Sequence, residues 1–187
     1  MNHKSSNFWR SLIEIILIFI LALCVTQLLL KYVIANEEVF GPSMEPNFVQ
    51  GDRLIAFRHA SIKRNEVVII KAPDAPGEFY IKRVIGLPGN TVSVKNNKLY
   101  IDGKETPQPY LHKNFVDQYT NNGIPFTNNF TLKQILGVNK VPKGEYFVLG
   151  DNRPVSKDSR YFGFISRNGI VGVVKLRYWP LNRIRIY

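Results

Sequence analysis

Phe79-Tyr80-Ile81-Lys82-Arg83-Val84-Ile85, running into Gly86-Leu87-Pro88-Gly89-Asn90, reads as one strand stopped by a tight turn. Aromatic and β-branched residues fill the first part, and the Pro-Gly-Asn string ends it. Side chains alternate across a strand, so Tyr80, Lys82 and Val84 share one face while Phe79, Ile81, Arg83 and Ile85 share the other. The two adjacent cations therefore point opposite ways. Working outward, similar short runs recur: Leu54-Ile55-Ala56-Phe57, Glu66-Val67-Val68-Ile69-Ile70, Thr91-Val92-Ser93-Val94, Lys98-Leu99-Tyr100-Ile101, Tyr146-Phe147-Val148-Leu149 and Ile170 to Leu176. Turn signals separate them at Gln50-Gly51-Asp52, Pro76-Gly77, Lys95-Asn96-Asn97, Asp102-Gly103 and Lys143-Gly144. Val94 to Leu99 predicts a hairpin. The pattern predicts a mostly β domain with open or barrel-like sheets.

Residues 105–140 break the pattern. Asn, Thr and Pro dominate there, with Asn121-Asn122-Gly123 and Asn128-Asn129. They read as a loop-rich insertion with a short helical turn at Leu132 to Leu136. Asn129-Phe130-Thr131 matches a glycosylation sequon, a string short enough to arise by chance.

Upstream, residues 12–35 are overwhelmingly apolar, and Ile15 to Leu30 carry no charge. That length spans a bilayer, with Glu14 and Lys31 near the interfaces. The run exceeds the apolar region of a secretory signal, and no small-x-small cleavage site follows it. Leu21-Ala22-Leu23-Cys24 resembles a lipoprotein site, but Leu23 stands where a small residue is needed. An uncleaved anchor is the better reading. Lys4 and Arg10 precede the span, whereas Lys31 is soon followed by Glu37 and Glu38, so the positive-inside bias puts residues 1–11 in the cytoplasm. Residues 36–187 then form an extracytoplasmic domain.

The chain has 187 residues, with 25 Lys and Arg against 14 Asp and Glu, a formal charge of +11. The cations are dispersed, with no basic run or stripe, which suits a domain beside anionic lipid or wall better than one on nucleic acid. Cys24 is the only cysteine and lies in the apolar segment, so neither an intrachain disulfide nor a cysteine metal site is available. His3, His59 and His112 lack ligand spacing.

Three strings carry possible chemistry. In Phe40-Gly41-Pro42-Ser43-Met44-Glu45-Pro46 the prolines stiffen a loop whose glycine lets backbone approach a substrate, so Ser43 can expose its hydroxyl. A serine needs a partner to take its proton. Lys82 is the candidate: on an apolar strand its pKa falls from about 10.4 toward neutrality, whereas Arg83 stays charged. Taken alone, Lys82 reads as a snorkelling surface lysine and the Ser43 loop as a turn. Gly150-Asp151-Asn152-Arg153-Pro154-Val155-Ser156-Lys157-Asp158-Ser159-Arg160 is a dense, charge-balanced loop that alone reads as a salt-bridge network.

Together, in this order behind an N-terminal anchor, the strings resemble the type I signal peptidases, in the short single-anchor bacterial form. Ser43-Met44-x-Pro46 matches the nucleophile box and Gly51-Asp52 the next. Lys82-Arg83-Val84-x-Gly86-x-Pro88-Gly89 matches the lysine box, and Gly150-Asp151-Asn152-Arg153 with Ser156, Asp158, Ser159 and Arg160 the last. The resemblance implies an all-β, SH3-like antiparallel sheet core with a variable lobe. It implies a serine endopeptidase, free of cofactor, in which Ser43 attacks the scissile carbonyl and Lys82 accepts its proton. Ser156 would hydrogen-bond and orient the lysine, while Asp151, Asp158 and Arg160 would brace the site. Its partners would be preproteins with small-x-small cleavage sites and the phospholipid membrane, with the chain acting as a monomer and no nucleic acid involved.

Two positions depart from the family pattern. Gly41 stands where some members place an oxyanion-binding serine, so a backbone N–H has to replace that hydroxyl. Asn90 stands where Asp commonly ends the lysine box. Other readings keep the chemistry but dedicate it to one precursor, such as a surface fibre, or make the chain a non-catalytic anchored β-domain that binds anionic wall or lipid. A self-cleaving Ser–Lys repressor of related fold would need a DNA-binding domain where this chain has an anchor. The non-catalytic reading requires Ser43 and Lys82 to lie far apart.

Overall fold

The computed structural model describes residues 3–187, with side chains from Phe8 onward. Lys4, used above for orientation, therefore lies outside the described side chains. A helix, α1 (His3–Tyr32), opens the chain. Its apolar stretch Phe8–Tyr32 has 25 residues, none buried against protein. At 1.5 Å per residue that is about 37 Å, enough to cross a bilayer core with tilt. Ile18 and Leu21 are among many apolar side chains left bare. Nothing among the described residues hides this surface from water, so a lipid environment is the solvent it fits.

The helix stops at Tyr32 rather than running to Ala35. Ile34–Glu38 forms β1, antiparallel to β2 (Arg53–Phe57). Ala35 is buried in the sheet core beside Val39, Met44 and Leu54. The segment that follows the anchor is thus a strand that fixes it to the domain. An apolar Ala35 reads as membrane or core equally well, which is why the boundary was misplaced.

The remaining elements are β3 (Val67–Lys71), β4 (Phe79–Gly86), β5 (Val92–Lys95), β6 (Lys98–Ile101), β7 (Lys104–Thr106), α2 (Lys113–Thr120), β8 (Phe130–Thr131), α3 (Leu132–Leu136), β9 (Glu145–Leu149), α4 (Ser159–Phe162), β10 (Ile165–Ser166), β11 (Ile170–Trp179) and β12 (Arg185–Ile186). The larger sheet has the order β1-β2-β11-β3-β4-β9-β10, with β12 paired to β11. Its strand pairs are antiparallel. β5 and β6 do not join it. With β7 and β8 they form a second sheet in the order β7-β6-β5-β8. Between the two sheets Gly86 ends β4 in a close-packed corner: a Cβ there would meet Val92 Cγ2 at 2.7 Å and Val141 Cγ2 at 2.9 Å.

The β5–β6 turn is a tight hairpin, with Lys95 opposite Lys98 and left-handed φ at Asn96 and Asn97. Asparagine tolerates that region better than other side chains, and two such residues suit a type I′ turn. The 105–140 segment carries more order than its composition suggested. α3 has a full capping box from Thr131 and Gln134, and Gly137 ends it in the left-handed region. Phe130 and Leu132 pack with Ile85, Leu99 and Phe147 in the core beneath the second sheet. The helix α2 was not anticipated, because none of its residues is buried and apolar periodicity had little to show.

Candidate active site

Strand β4 is buried along most of its length, and Lys82 is only 3% exposed. Its neighbours in the sheet are β3, where Val68 pairs with Lys82, and β9, where Leu149 pairs with Arg83. The Lys82 amine lies 2.9 Å from Ser43 Oγ and 3.0 Å from the Ile81 carbonyl oxygen. Tyr80, two residues back on the same face, places its ring centroid 5.2 Å from the amine. Burial lowers the Lys82 pKa from 10.5 to about 8, and the carboxylates of Asp158, Asp151 and Asp74 oppose part of that fall. Desolvation wins because the ammonium has lost its water while the nearest acids are committed elsewhere.

Those commitments form the scaffold. Arg83, pointing away from Lys82, grips Asp151 with two bonds: Nε donates to Oδ1 at 2.7 Å and Nη2 to Oδ2 at 2.5 Å. Its guanidinium lies 4.2 Å from the Tyr110 ring centroid. Asn47, from the Ser43 loop, donates to Asp151 Oδ2 at 2.8 Å. Asp158, wholly buried, accepts from the Gly150 amide at 3.0 Å and takes both Nε and Nη2 of Arg160 at 2.8 Å. Arg160 Nη2 also donates to the Arg153 carbonyl at 2.7 Å. Pairing of this kind keeps buried charges satisfied and holds the 150–160 loop in one shape.

The same loop holds the serine. Asn152 donates through its backbone amide to the Ser43 carbonyl at 3.0 Å, and through Nδ2 to the Pro42 carbonyl at 3.1 Å. In a trans peptide the N–H points opposite to the C=O, so Pro42's commitment turns the Ser43 N–H away from Asn152. Met44 and Phe48 are buried in the core and anchor the loop from below. Gly41, at φ +74°, makes the bend that no β-branched residue takes easily.

Ser156 differs from its expected role. Its hydroxyl is buried and, among the described residues, has no hydrogen-bond partner. It makes no hydrogen bond to the Lys82 amine, whose two bonds go to Ser43 and Ile81. It packs instead over Gly150, where a Cβ would stand 2.1 Å from Ser156 Oγ and 2.5 Å from the Ser43 carbonyl. Gly150 is therefore the space that lets two loops close on the lysine. Gly150→Ala is expected to push them apart, cutting cleavage by about a hundredfold through a misplacement of about 1 Å, as a cleavage assay on folded protein would show.

Of the sequence-derived candidates, Ser43 and Lys82 meet directly, Asp151 braces the outer face of β4, and Asp158 with Arg160 braces Gly150. Asn152 and Asn47 carry comparable weight; Asn152 lies in a marked string with no role expected of it, and Asn47 lies one residue beyond the serine string. Asn90, at the family's usual Asp position, works as a turn brace: its Oδ1 accepts from the Leu87 amide and from Arg64, both at 2.9 Å. Asp52, from the second box, lies buried 3.0 Å from Arg177 Nη1 and 3.2 Å from Arg183 Nη1, and supports the fold from outside the site. Among the described residues, no group of three or more His, Cys, Asp or Glu is placed to hold a metal ion.

A cleft of about 570 Å³ opens beside the pair, walled by β1 and the following residues on one side and by Gly77 to Lys82 on the other. A smaller hollow of about 210 Å³ lies across Ser43, toward Val155 and Lys157. The lysine–serine pair thus sits between two openings.

Residues 12–179 match the family described as signal peptidase, peptidase S26. The chain belongs to the signal peptidase family. It is 35% identical over 184 residues to signal peptidase IB of Staphylococcus aureus, covering 94% of each chain. It is 40% identical over 166 residues to signal peptidase I of Bacillus caldolyticus, covering 87% of this chain and 88% of that one. The crystal structure of a signal peptidase I from Enterococcus faecalis aligns at a TM-score of 0.53 and 36% identity, covering 61% of this chain and 97% of that one. A signal peptidase is a serine endopeptidase, and the chain accordingly removes signal peptides from preproteins as a membrane-anchored enzyme. The non-catalytic alternative needed a separation that the 2.9 Å contact does not offer.

Proposed function

We propose that Ser43 is the nucleophile and Lys82 its general base, and that this pair cleaves exported preproteins on the outer face of the cytoplasmic membrane. The observation that carries this reading is the Nζ–Oγ contact at a buried lysine whose pKa has fallen to about 8. A neutral amine accepts the hydroxyl proton as Oγ attacks the scissile carbonyl. The ammonium so formed returns that proton to the leaving amine, and the acyl group stays on Ser43 as an ester. Water then attacks the ester, Lys82 takes its proton and passes it to the departing Ser43 Oγ, and the acyl group leaves as the free acid.

The tetrahedral oxygen needs donors, and the Ser43 N–H, turned away from Asn152, serves as one. Gly41 supplies no hydroxyl, so the second donor comes from loop backbone. Asp151, Asp158 and Arg160 brace the pair, and Ser156 packs beside it.

Geometry also supports the membrane setting. β1 runs from the end of α1 straight to the Ser43 loop, so a substrate emerging from the bilayer reaches the cleft alongside it. With the N-terminus in the cytoplasm, the apolar helix ending at Tyr32 anchors a monomeric outer domain that begins with β1 at Ile34, and in which 105–140 is an elaborated lobe. The apolar cleft wall of Val39, Met44, Ile69 and Ile81 leaves room for small side chains before the scissile bond.

The test is cleavage of a preprotein with a small-x-small site by the full-length protein in liposomes, read by N-terminal sequencing of the product. Cleavage after the second small residue is expected. Intact preprotein, or cleavage elsewhere, contradicts the reading.

A further inference from the structure

The cleft wall contributed by β1 contains a residue that packing alone does not explain. Along β1 and onward, Ala35 and Val39 are buried, Asn36 and Glu38 are exposed, and Glu37 between them is half-buried. Alternation therefore puts Glu37 on the inward face, in line with two core residues. A carboxylate is a costly choice for such a position unless something meets it. Glu38, on the outward face, has Arg53 at 3.4 Å. Among the described residues Glu37 forms no ion pair and no side-chain hydrogen bond. Burial raises its pKa, and Arg58 pulls it down from a distance.

The surroundings are acidic too. Glu37 and Glu78 line the same cleft as Ser43, as does Glu38 with its charge met by Arg53, and among the described residues Lys82 is the one cationic side chain in that lining. A chain of formal charge +11 thus presents carboxylates along its substrate path. Complementary charge on a bound peptide is the arrangement this favours.

The position along the cleft follows from strand geometry. The substrate enters from the end of α1 and runs along β1 toward Ser43. Side chains of an extended peptide return to one face every second residue, about 7 Å apart. The two small residues of the cleavage site occupy the inward positions nearest Ser43, as far back as Val39. The next inward position, two residues further upstream, reaches Glu37.

We propose that Glu37 is a specificity-determining residue that receives a lysine or arginine side chain five residues before the scissile bond. The proposal rests on the cleavage reading above and adds to it a preference among signal peptides. Preproteins with a basic residue at that point are cut faster than those with an acidic one.

A matched preprotein series tests this, identical except for Lys, Ala or Glu at the fifth residue before the bond. The full-length protein is assayed in phosphatidylcholine liposomes, which carry no net charge of their own. Wild type is expected to cleave the Lys substrate about tenfold faster than the Glu substrate in kcat/KM, the worth of one charge-assisted hydrogen bond. Glu37→Gln is expected to bring that ratio close to one, and Glu37→Lys to invert it. Each ratio is internal to one variant, so a general loss of activity does not alter it. Equal cleavage of the three substrates by wild type overturns the role of Glu37 and leaves the cleavage reading standing. A ratio unchanged in Glu37→Gln or in Glu37→Lys also overturns it. Failure of wild type on every substrate removes the cleavage reading, and this inference with it.

Discussion

Lys82→Met is expected to lose about 10⁴-fold in cleavage rate while melting at a higher temperature than wild type at pH 7. Both effects come from the same burial. The amine is the one group hydrogen-bonded to Ser43 Oγ among the described residues, and the nearby carboxylates Asp151 and Asp158 are held by Arg83 and Arg160, so without it Oγ has no base. Stability moves the other way. Below about pH 8 the folded and unfolded chains both hold the lysine proton, so the folded state carries the full cost of a buried ammonium. Between about 8 and 10.5 only the unfolded chain holds it, and stability rises with pH across that window. The difference corresponds to about 3 kcal/mol in the neutral range. Methionine removes that cost and fills similar space, but leaves the Ile81 carbonyl without the amine. The net gain is about 1–2 kcal/mol, or a few degrees in Tm. Calorimetry beside a cleavage assay checks both halves. Retained activity, or a lower Tm at pH 7, contradicts the assignment.

Ser43→Ala is expected to remove cleavage as fully as the lysine change, by about 10⁴-fold or more, with preprotein binding retained. The alanine keeps the backbone contacts to Asn152, which do not involve the hydroxyl. The oxyanion donors and the cleft walls therefore stay in place, and the variant holds substrate without cutting it. Because the two residues work as one unit, the double variant is expected to lose little more than either single one. A measurable rate in Ser43→Ala that is still sensitive to Lys82 would place the nucleophile elsewhere.

Much of this was readable from residue patterns. Seven of the strands follow from short apolar runs bounded by Gly, Pro and Asn, and β4 falls where alternation places it. That alternation already separated Lys82 from Arg83, and the structure sends one to Ser43 and the other to Asp151. The short strands were not readable. β8, β10 and β12 have two residues each, too few for any period to register. Nor was the partition into two sheets, which no run of residues marks.

At the site, sequence order located the reacting pair but not its support. Ser156 was expected to orient the lysine, yet its hydroxyl sits over Gly150 with no hydrogen-bond partner among the described residues. A motif position specifies which residue is near, and side-chain rotation decides what it touches. Asn152 shows the reverse case. Its two bonds to the Ser43 loop set the peptide planes there, and only the closed fold brings residues so distant in the chain together.

The central claim is that a neutral Lys82 takes the proton of Ser43, and the pH dependence of kcat/KM tests it most directly. The wild-type protein in liposomes should be assayed on one preprotein from about pH 6 to about pH 10, since this parameter reports the essential base of the free enzyme. The account predicts a rate that climbs about tenfold per pH unit at the acid end and levels off above about 8, the pKa of the buried amine. A flat profile, or one whose midpoint lies near the ordinary lysine value, would contradict it.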